Sequence, residues 1–203
     1  MAKLYYAHDP MCSYCYAFRN TWSELKRQLP ENIKVINLVG GLAPDTNEPM
    51  PDEMRTKLIN TWHKINQRFG VEFNFDFWQK NTPRRSTYPA CRAVLAAKEF
   101  EKELPMIEAI QNAYYLKAQN PSDIETLSQC ALDIGIKVIE FNKKIKSQKI
   151  NSSLLLEIKE SQRLGLNSFP SLLLEYRNKR TKISIDYRSS KPMLKMINLL
   201  MVV

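Results

Sequence analysis

The sequence predicts an α/β fold in which a large all-helical insertion separates two parts of one sheet domain. Three observations support this prediction: an N-terminal strand–helix–strand pattern, a middle region with helical patterns, and a C-terminal strand hairpin followed by a helix. We expect the sheet domain to comprise residues 1–42 and 150–203, and the helical insertion domain to comprise residues 43–149.

The N-terminal segment has the pattern of a βαβ unit. Residues 3–7 and 33–39 read as strands, the second ending at Gly40-Gly41. Between them, one residue set recurs at steps of three and four, the spacing of a buried helix face: Cys15, Phe18, Trp22, Leu25 and Leu29. Asp9-Pro10 supplies a helix start signal, and Pro30 ends the segment. Strands joined by a helix in this way are expected to be parallel.

The middle region begins with a linker marked by prolines, namely Pro44, Pro49 and Pro51. A helix is predicted to open at Pro105, with apolar positions Ile107, Ile110 and Tyr114. The run Ser122-Asp123-Ile124-Glu125 is a capping-box pattern for the next helix, which is expected to end at Gly135. Helical spacing continues afterwards at Val138, Phe141 and Ile145. The region therefore reads as a helical bundle.

The C-terminal region returns to the sheet. A helix from residue 152 to about Leu164 is expected to stop at Gly165. Strands at 171–176 and 181–187, joined by a polar turn at 177–180, predict a hairpin. A final helix near Pro192 has as its apolar positions Met193, Met196, Ile197 and Leu200.

Composition and charge exclude several classes of protein. Apolar residues make up 44% of the 203 residues, which supplies a packed core and argues against disorder. No apolar stretch approaches the ~20 residues needed to span a bilayer, and the N-terminus lacks a secretory signal. We therefore expect a cytoplasmic protein with no membrane partner.

The net charge of +9 favours an anionic partner and leaves a nucleic-acid-binding module as an alternative. The basic residues form two clusters: Lys143, Lys144, Lys146 and Lys149, and then Arg177, Lys179, Arg180 and Lys182. Both clusters fall where solvated surface is expected, and neither is interleaved with the aromatic residues that single-strand binders use. We therefore do not expect nucleic acid as the main partner.

The predicted chemistry lies in Cys12-Ser13-Tyr14-Cys15, at the start of the first helix. Residues three apart on a helix are close enough for a disulfide. The unpaired N–H groups and the positive end of the helix dipole favour a thiolate at Cys12. Cys15 shares the buried face, whereas Cys12 is expected to meet solvent. An exposed thiolate beside a sheltered thiol suits dithiol exchange, and a CxxC near a βαβ unit indicates a thioredoxin-like redox motif.

Other interpretations of the cysteines remain open. A zinc site of His8, Cys12, Cys15 and one distant ligand is an alternative, although structural zinc needs four ligands. We expect no metal and no cofactor. Cys130 is expected to be a core residue, and a redox role for Cys91 is left open.

Pro170 precedes an apolar strand, a position that suits proline. Most X-Pro bonds are trans, which is one reading of Phe169-Pro170. The other reading is a cis bond that exposes the backbone beside the dithiol. The residues alone leave both open.

Together, the segments Asp9–Tyr16 (DPMCSYCY), Tyr88–Val94 (YPACRAV) and Phe169-Pro170 resemble the DsbA-like thioredoxin-fold oxidoreductases. The chain is most similar to the cytoplasmic branch with predicted protein-disulfide isomerases and FrnE-like proteins. The resemblance implies a thioredoxin-like fold with a helical insertion, Cys12 as the nucleophile and Cys15 as the resolving thiol. It also implies that Pro170 is the cis proline opposite them and that the Phe169 backbone binds extended substrate.

The residues between the cysteines depart from the periplasmic oxidants of that family. Those proteins carry proline and histidine there, whereas this chain has Ser13 and Tyr14, which we also assign to the substrate-binding surface. Because this pair helps to set redox poise, the departure argues against a strongly oxidising potential. In a reducing cytosol the dithiol is the expected resting form, so we expect net reduction or isomerisation rather than oxidation. The expected substrate is a disulfide-containing protein or a small thiol, with glutathione as one candidate.

A glutathione-dependent enzyme is the alternative function. The kappa-type glutathione transferases and the 2-hydroxychromene-2-carboxylate isomerases share the fold. That branch has serine where this chain has Cys12. Retention of both cysteines therefore favours dithiol chemistry.

Overall fold

A computed structural model describes residues 1–202 of the chain. In chain order its elements are β1 (Ala2–His8), α1 (Ser13–Gln28), β2 (Ile33–Val39), α2 (Asp52–Phe69), α3 (Phe77–Lys80), α4 (Tyr88–Lys98), α5 (Glu103–Tyr115), α6 (Ile124–Asp133), α7 (Val138–Ile145), α8 (Gln148–Arg163), β3 (Ser171–Tyr176), β4 (Lys179–Ile183) and α9 (Lys191–Val202). The strands form one sheet in the order β2-β1-β3-β4. No helix within the described range is long and apolar enough to cross a membrane.

The predicted βαβ unit is confirmed. β1 and β2 are parallel, from the pair Ala2–Ile33 to the pair His8–Val39. β1 lies inside the sheet, because its other edge pairs antiparallel with β3. One face of β1 packs on α1 and α9 through Leu4, and the other packs through Tyr5 on Leu164 near the end of α8. Burial on both faces explains the apolar character of this strand.

The start of α1 differs from the prediction. The helix begins at Ser13, and the residue in the N-cap position is Cys12. Asp9-Pro10 therefore lies before the helix and does not cap it. The Asp9 carboxylate instead accepts hydrogen bonds from the backbone N–H groups of Met11 and Leu42, which lie in the loops after β1 and β2. The loop that leads into α1 is thus held in place by hydrogen bonds to a buried carboxylate.

The middle region contains α2 to α7 and one isolated β-bridge, between Pro49 and Arg84. The predicted capping box at Ser122 is wrong. The Ser122 hydroxyl donates to the carbonyl of Ser86, and Asp123 occupies the N-cap without a side-chain cap bond. The proposed boundary at residue 150 falls inside α8, so the division of the chain into 1–42 with 150–203 and 43–149 stays a prediction.

The C-terminal region follows the predicted order with shifted boundaries. α8 begins four residues earlier than expected, at Gln148, because the Ser147 hydroxyl accepts from the backbone N–H of Ile150 and caps the helix. The hairpin turn is confined to Arg177 and Asn178, which have φ of 48° and 62°. β4 therefore starts at Lys179 and ends at Ile183, short of the predicted end at residue 187.

The apolar face of the last helix is narrower than predicted. In α9, Met193 and Ile197 are buried against the sheet, whereas Met196 is 46% exposed. The spacing of apolar residues located the helix correctly, but Met196 lies outside its packed stripe.

Candidate active site at Cys12 and Cys15

Cys12 lies at the start of α1, in contact with Phe169, which precedes β3. Its Sγ accepts a hydrogen bond from the backbone N–H of Cys15 at 3.4 Å and donates to the carbonyl oxygen of Phe169 at 3.3 Å. Both cysteines are free thiols. A sulfur in the N-cap position faces unpaired N–H groups and the positive end of the helix dipole, so negative charge on Cys12 is favoured there.

The two sulfurs differ in access, but less than the sequence predicted. Cys12 is 7% exposed rather than freely solvated, and Cys15 is 1% exposed. The expectation that Cys12 meets bulk solvent is corrected, because the loop before α1 packs against the middle region through Met11 and Cys12 contacts Phe169. Burial and the hydrogen bond to Cys12 raise the pKa of the Cys15 thiol well above its usual value. Cys15 is therefore a sheltered, protonated thiol at neutral pH.

The Phe169-Pro170 peptide bond is cis, as the family resemblance implied. Pro170 is buried immediately before β3, and the Phe169 carbonyl faces the Cys12 sulfur. The Phe169 ring lies over Gly40, where an added Cβ would come within 1.9 Å of the ring. Gly40 is thus required for this ring position. A substrate-binding role for Phe169 and Pro170 stays a prediction.

The two residues between the cysteines face different surroundings. The Ser13 hydroxyl is buried and accepts a hydrogen bond from the indole N–H of Trp62 in α2, at 3.0 Å. Tyr14 is 37% exposed, and its ring packs edge-on against Tyr187 at 5.9 Å. Tyr14 is therefore available to a substrate, whereas the Ser13 hydroxyl is occupied by a structural contact. Their assignment to substrate binding is untested.

Asp9 is a buried residue of the site whose role sequence analysis missed. It is fully buried, and besides the backbone groups of Met11 and Leu42 its carboxylate accepts from the hydroxyl of Thr87 at 2.7 Å and from the thiol of Cys91 at 3.5 Å. Burial raises the pKa of Asp9, and these hydrogen bonds oppose the rise. The carboxylate joins the loop before Cys12 to the start of α4. The sequence signal was present as Asp9-Pro10, but it was interpreted as a helix start.

The remaining cysteines are buried. Cys91 is fully buried and donates to Asp9, and burial raises the pKa of its thiol. Cys130 lies in the helical core as expected, where burial raises its pKa to about 11. Among residues 1–202, no group of three or more His, Cys, Asp or Glu side chains could hold a metal ion.

A groove with a volume of about 230 Å³ opens beside Cys12. Tyr14 and Phe169 line one part of it, and Thr61, Arg84 and Arg85 from the middle region line another. A larger cavity of about 680 Å³ touches neither Cys12 nor Cys15, so we assign the chemistry to the smaller groove. Sequence analysis missed the lining from the middle region, because no local pattern relates these residues to Cys12.

The basic clusters are partly neutralised. Lys144 and Lys149 both pair with Glu99, and Arg180 pairs with Glu175 at 2.7 Å. The sequence predicted solvated surface at both clusters, and the structure adds these ion pairs.

The burial of His8, at the end of β1, predicts that the folded state loses stability in acid. The ring is buried and stacks on Tyr6 at a centroid distance of 5.0 Å, and its Nε2 has no hydrogen-bond partner among residues 1–202. Burial, with smaller contributions from the charges of Lys98 and Lys26, lowers the His8 pKa from 6.5 to about 3. Between these values the unfolded chain binds more protons than the native one. The stabilisation from neutral His8 is therefore complete above the unfolded pKa and is lost as the pH falls towards 3.

We expect His8→Phe to lose less stability than the parent protein on acidification. Removing the titration should reduce the loss of unfolding free energy between pH 7 and pH 4 by about 3 kcal/mol. Urea unfolding of both proteins at several pH values measures this. Asp9 and Glu157, whose pKa values are raised, act in both proteins and cancel in the comparison. Parallel pH profiles for parent and variant would contradict the prediction.

Comparison with known proteins shows which family this chain belongs to. The model of the DsbA-like thioredoxin domain matches residues 6–184. This chain belongs to the DsbA-like thioredoxin domain family. The match contains Cys12, Cys15 and Pro170, and it extends across the helices of the middle region. The predicted family and the thioredoxin-like α/β fold are confirmed.

Solved structures share the DsbA-like fold over nearly the whole chain. One, described as a "putative protein disulfide isomerase from Nitrosomonas europaea", is 27% identical with a TM-score of 0.84, and the match covers 98% of this chain and 96% of that one. The cytosolic disulfide reductase DsbM from Pseudomonas aeruginosa is 19% identical with a TM-score of 0.79, and 98% of each chain is covered. A second DsbM structure contains GSH and has a TM-score of 0.77. The names of these proteins agree with the predicted thiol–disulfide oxidoreductase class.

Curated relatives of the DsbA-like domain are longer than this chain. The ClpXP adapter protein SpxH of Halalkalibacterium halodurans is 22% identical over 177 residues, and that of Bacillus subtilis is 21% identical over 173 residues. Each match covers 84% of this chain but only 58% and 57% of the respective relative. The chain thus spans less than two thirds of the length of these adapters.

Proposed function

We propose that this DsbA-like domain is a thiol–disulfide oxidoreductase that reduces or isomerises disulfides through Cys12 and Cys15. The observation that carries the proposal is the position of the Cys12 sulfur, at the N-cap of α1 and 3.3 Å from the Phe169 carbonyl oxygen. A helix N-terminus stabilises the attacking thiolate. Once the Cys12 thiol has lost the proton that it donates to the Phe169 carbonyl, that carbonyl can accept a hydrogen bond from an extended substrate backbone.

The reaction follows from the unequal burial of the two sulfurs. The Cys12 thiolate attacks a substrate disulfide, which forms a mixed disulfide and releases one substrate sulfur as a thiolate. Cys15 loses its proton and attacks the Cys12 sulfur, which releases the second substrate thiolate and closes the Cys12–Cys15 disulfide. Two electrons have then passed from the enzyme to the substrate. The raised pKa of buried Cys15 agrees with its entry as the second nucleophile.

The proposed direction is net reduction or isomerisation in the cytoplasm. Ser13 and Tyr14 replace the proline and histidine of strongly oxidising relatives, which supports a less oxidising dithiol. The structural likeness to a cytosolic disulfide reductase also supports this direction and this location.

Glutathione is the proposed recycling reductant. Two molecules of glutathione would reduce the Cys12–Cys15 disulfide and leave as glutathione disulfide, which balances the two electrons given to the substrate. The groove beside Cys12 supports this proposal because it is open to a small peptide. The likeness to a DsbM structure containing GSH gives further support.

A coupled assay tests the function. With glutathione, glutathione reductase and NADPH, the parent protein should accelerate reduction of hydroxyethyl disulfide, and Cys12→Ser should lose at least ~100-fold of this activity because the nucleophile is absent. Cys130→Ala is the matched control, since it removes a cysteine from the helical core and should retain activity. A parent protein without activity, or Cys12→Ser with parental activity, would refute the proposal.

A further inference from the structure

The groove beside Cys12 contains a guanidinium group that has no partner within the described residues. Arg84 and Arg85 both line the groove, but Arg84 forms a salt bridge with Asp123. Arg85 is half-buried and makes neither a hydrogen bond nor an ion pair within residues 1–202. A partly desolvated arginine with no counterion is a strong site for an incoming anion.

The surroundings of Arg85 leave its charge uncompensated. No acidic side chain of the described chain lines the groove, whereas the hydroxyl-bearing residues Thr61, Ser86 and Tyr114 do. Arg85 lies close enough to Tyr114 for its charge to oppose the burial that raises the Tyr114 pKa. Asp9 lies behind Thr87, and its carboxylate is already engaged by other donors. Arg85 and Cys12 therefore line the same groove.

We propose that Arg85 is the carboxylate-recognition residue of this groove and that it binds a carboxylate of glutathione while the glutathione sulfur meets Cys12. The proposal rests on the proposed function and names the residue that selects its small-thiol partner. Glutathione fits this chemistry, since its sulfur lies between two ends that each carry a carboxylate. A guanidinium can bind a carboxylate with two parallel hydrogen bonds, which fixes the orientation of the ligand as well as its position.

Adduct formation by two disulfides of different charge tests the proposal. In the Cys15→Ser background, the Cys12 thiolate attacks either glutathione disulfide, with release of glutathione thiolate, or uncharged hydroxyethyl disulfide, with release of mercaptoethanol thiolate. We expect Arg85→Gln to slow the reaction with glutathione disulfide about tenfold or more, since a charge-assisted hydrogen bond is lost. The rate of its reaction with hydroxyethyl disulfide should change less than about twofold, because that probe has no carboxylate for Arg85 to bind.

Two further variants separate recognition from general charge and from folding. Arg85→Lys retains the charge but not the paired geometry and should recover part of the lost rate. Arg163→Gln removes an equal charge from the exposed face of α8, where Arg163 pairs with Glu160, and should react like the parent. Equal slowing with both disulfides, or no slowing with glutathione disulfide, would overturn the subsite.

Binding of S-methylglutathione, which cannot form a disulfide, distinguishes the subsite from the reaction. Calorimetry should show weaker binding to Arg85→Gln than to the parent by about tenfold. Equal affinities would overturn the subsite and leave the proposed function standing. A parent that reacts with neither disulfide would overturn the proposed function, even if Arg85 still strengthened binding of S-methylglutathione.

Discussion

Cys15→Ser is expected to accumulate a mixed disulfide at Cys12, whereas Cys12→Ser should form almost none. After exposure to glutathione disulfide, the first variant retains the sulfur at the N-cap of α1 but lacks the thiol that resolves the adduct. Of the two active-site cysteines, the second retains Cys15 alone, which is 1% exposed and whose pKa is well above the usual value. Burial and the low thiolate fraction of Cys15 both oppose its attack on a disulfide, so we expect adduct formation to differ by at least ~100-fold.

Intact-mass spectrometry over time, followed by peptide mapping, measures the two rates and locates the adduct. The variant with both cysteines replaced is the matched control and reports any reaction at Cys91 or Cys130, which are both buried. Equal rates for the two single variants would show that the roles of Cys12 and Cys15 are wrongly assigned. An adduct on the doubly substituted protein would show that another cysteine reacts.

Trp62→Ala is expected to lower the free energy of unfolding by about 3–5 kcal/mol, the cost of removing a large aromatic side chain from a packed core. Trp62 is fully buried in α2. Its ring packs against six others in the helical core, those of Phe73, Phe75, Phe77, Trp78, Tyr114 and Tyr115. The substitution also removes the donor to the Ser13 hydroxyl, beside Cys12.

Two smaller substitutions separate the packing of Trp62 from its hydrogen bond. Ser13→Ala leaves the buried indole N–H unpaired and should cost about 1–3 kcal/mol, whereas Trp62→Phe retains an aromatic ring and should cost less than Trp62→Ala. Urea unfolding followed by circular dichroism measures all three. A loss below ~1 kcal/mol for Trp62→Ala would contradict the packing argument.

The elements that sequence analysis predicted well are those specified by neighbouring residues. β1, β2 and β3 were found within about a residue of their bounds, because apolar runs between turn signals are local features. The CxxC motif was found in the same way, since its two cysteines are three residues apart. The cis bond before Pro170 was implied by the family resemblance, although the residues alone left it open.

The features that were missed depend on residues far apart in the chain. Asp9 and Thr87 are separated by 78 positions, and no local pattern shows that the carboxylate of one meets the hydroxyl of the other. Ser122 matched a capping box but donates to Ser86, which is 36 positions away. No sequence pattern pointed to Arg85, because its position in the groove beside Cys12 follows from the packing of the middle region around the start of α1.

The contacts of Asp9 and Ser13 limit how far this dithiol can be transplanted. A minimal thioredoxin scaffold without α2 and α4 would supply the Cys12–Cys15 loop but neither Trp62 nor Thr87 nor Cys91. Asp9 would then keep only its backbone donors, and Ser13 would lose its partner. A chimera built on the CxxC loop alone would therefore inherit a buried carboxylate with only two of its four hydrogen-bond donors. The working unit for engineering is the loop together with the helices that close over it.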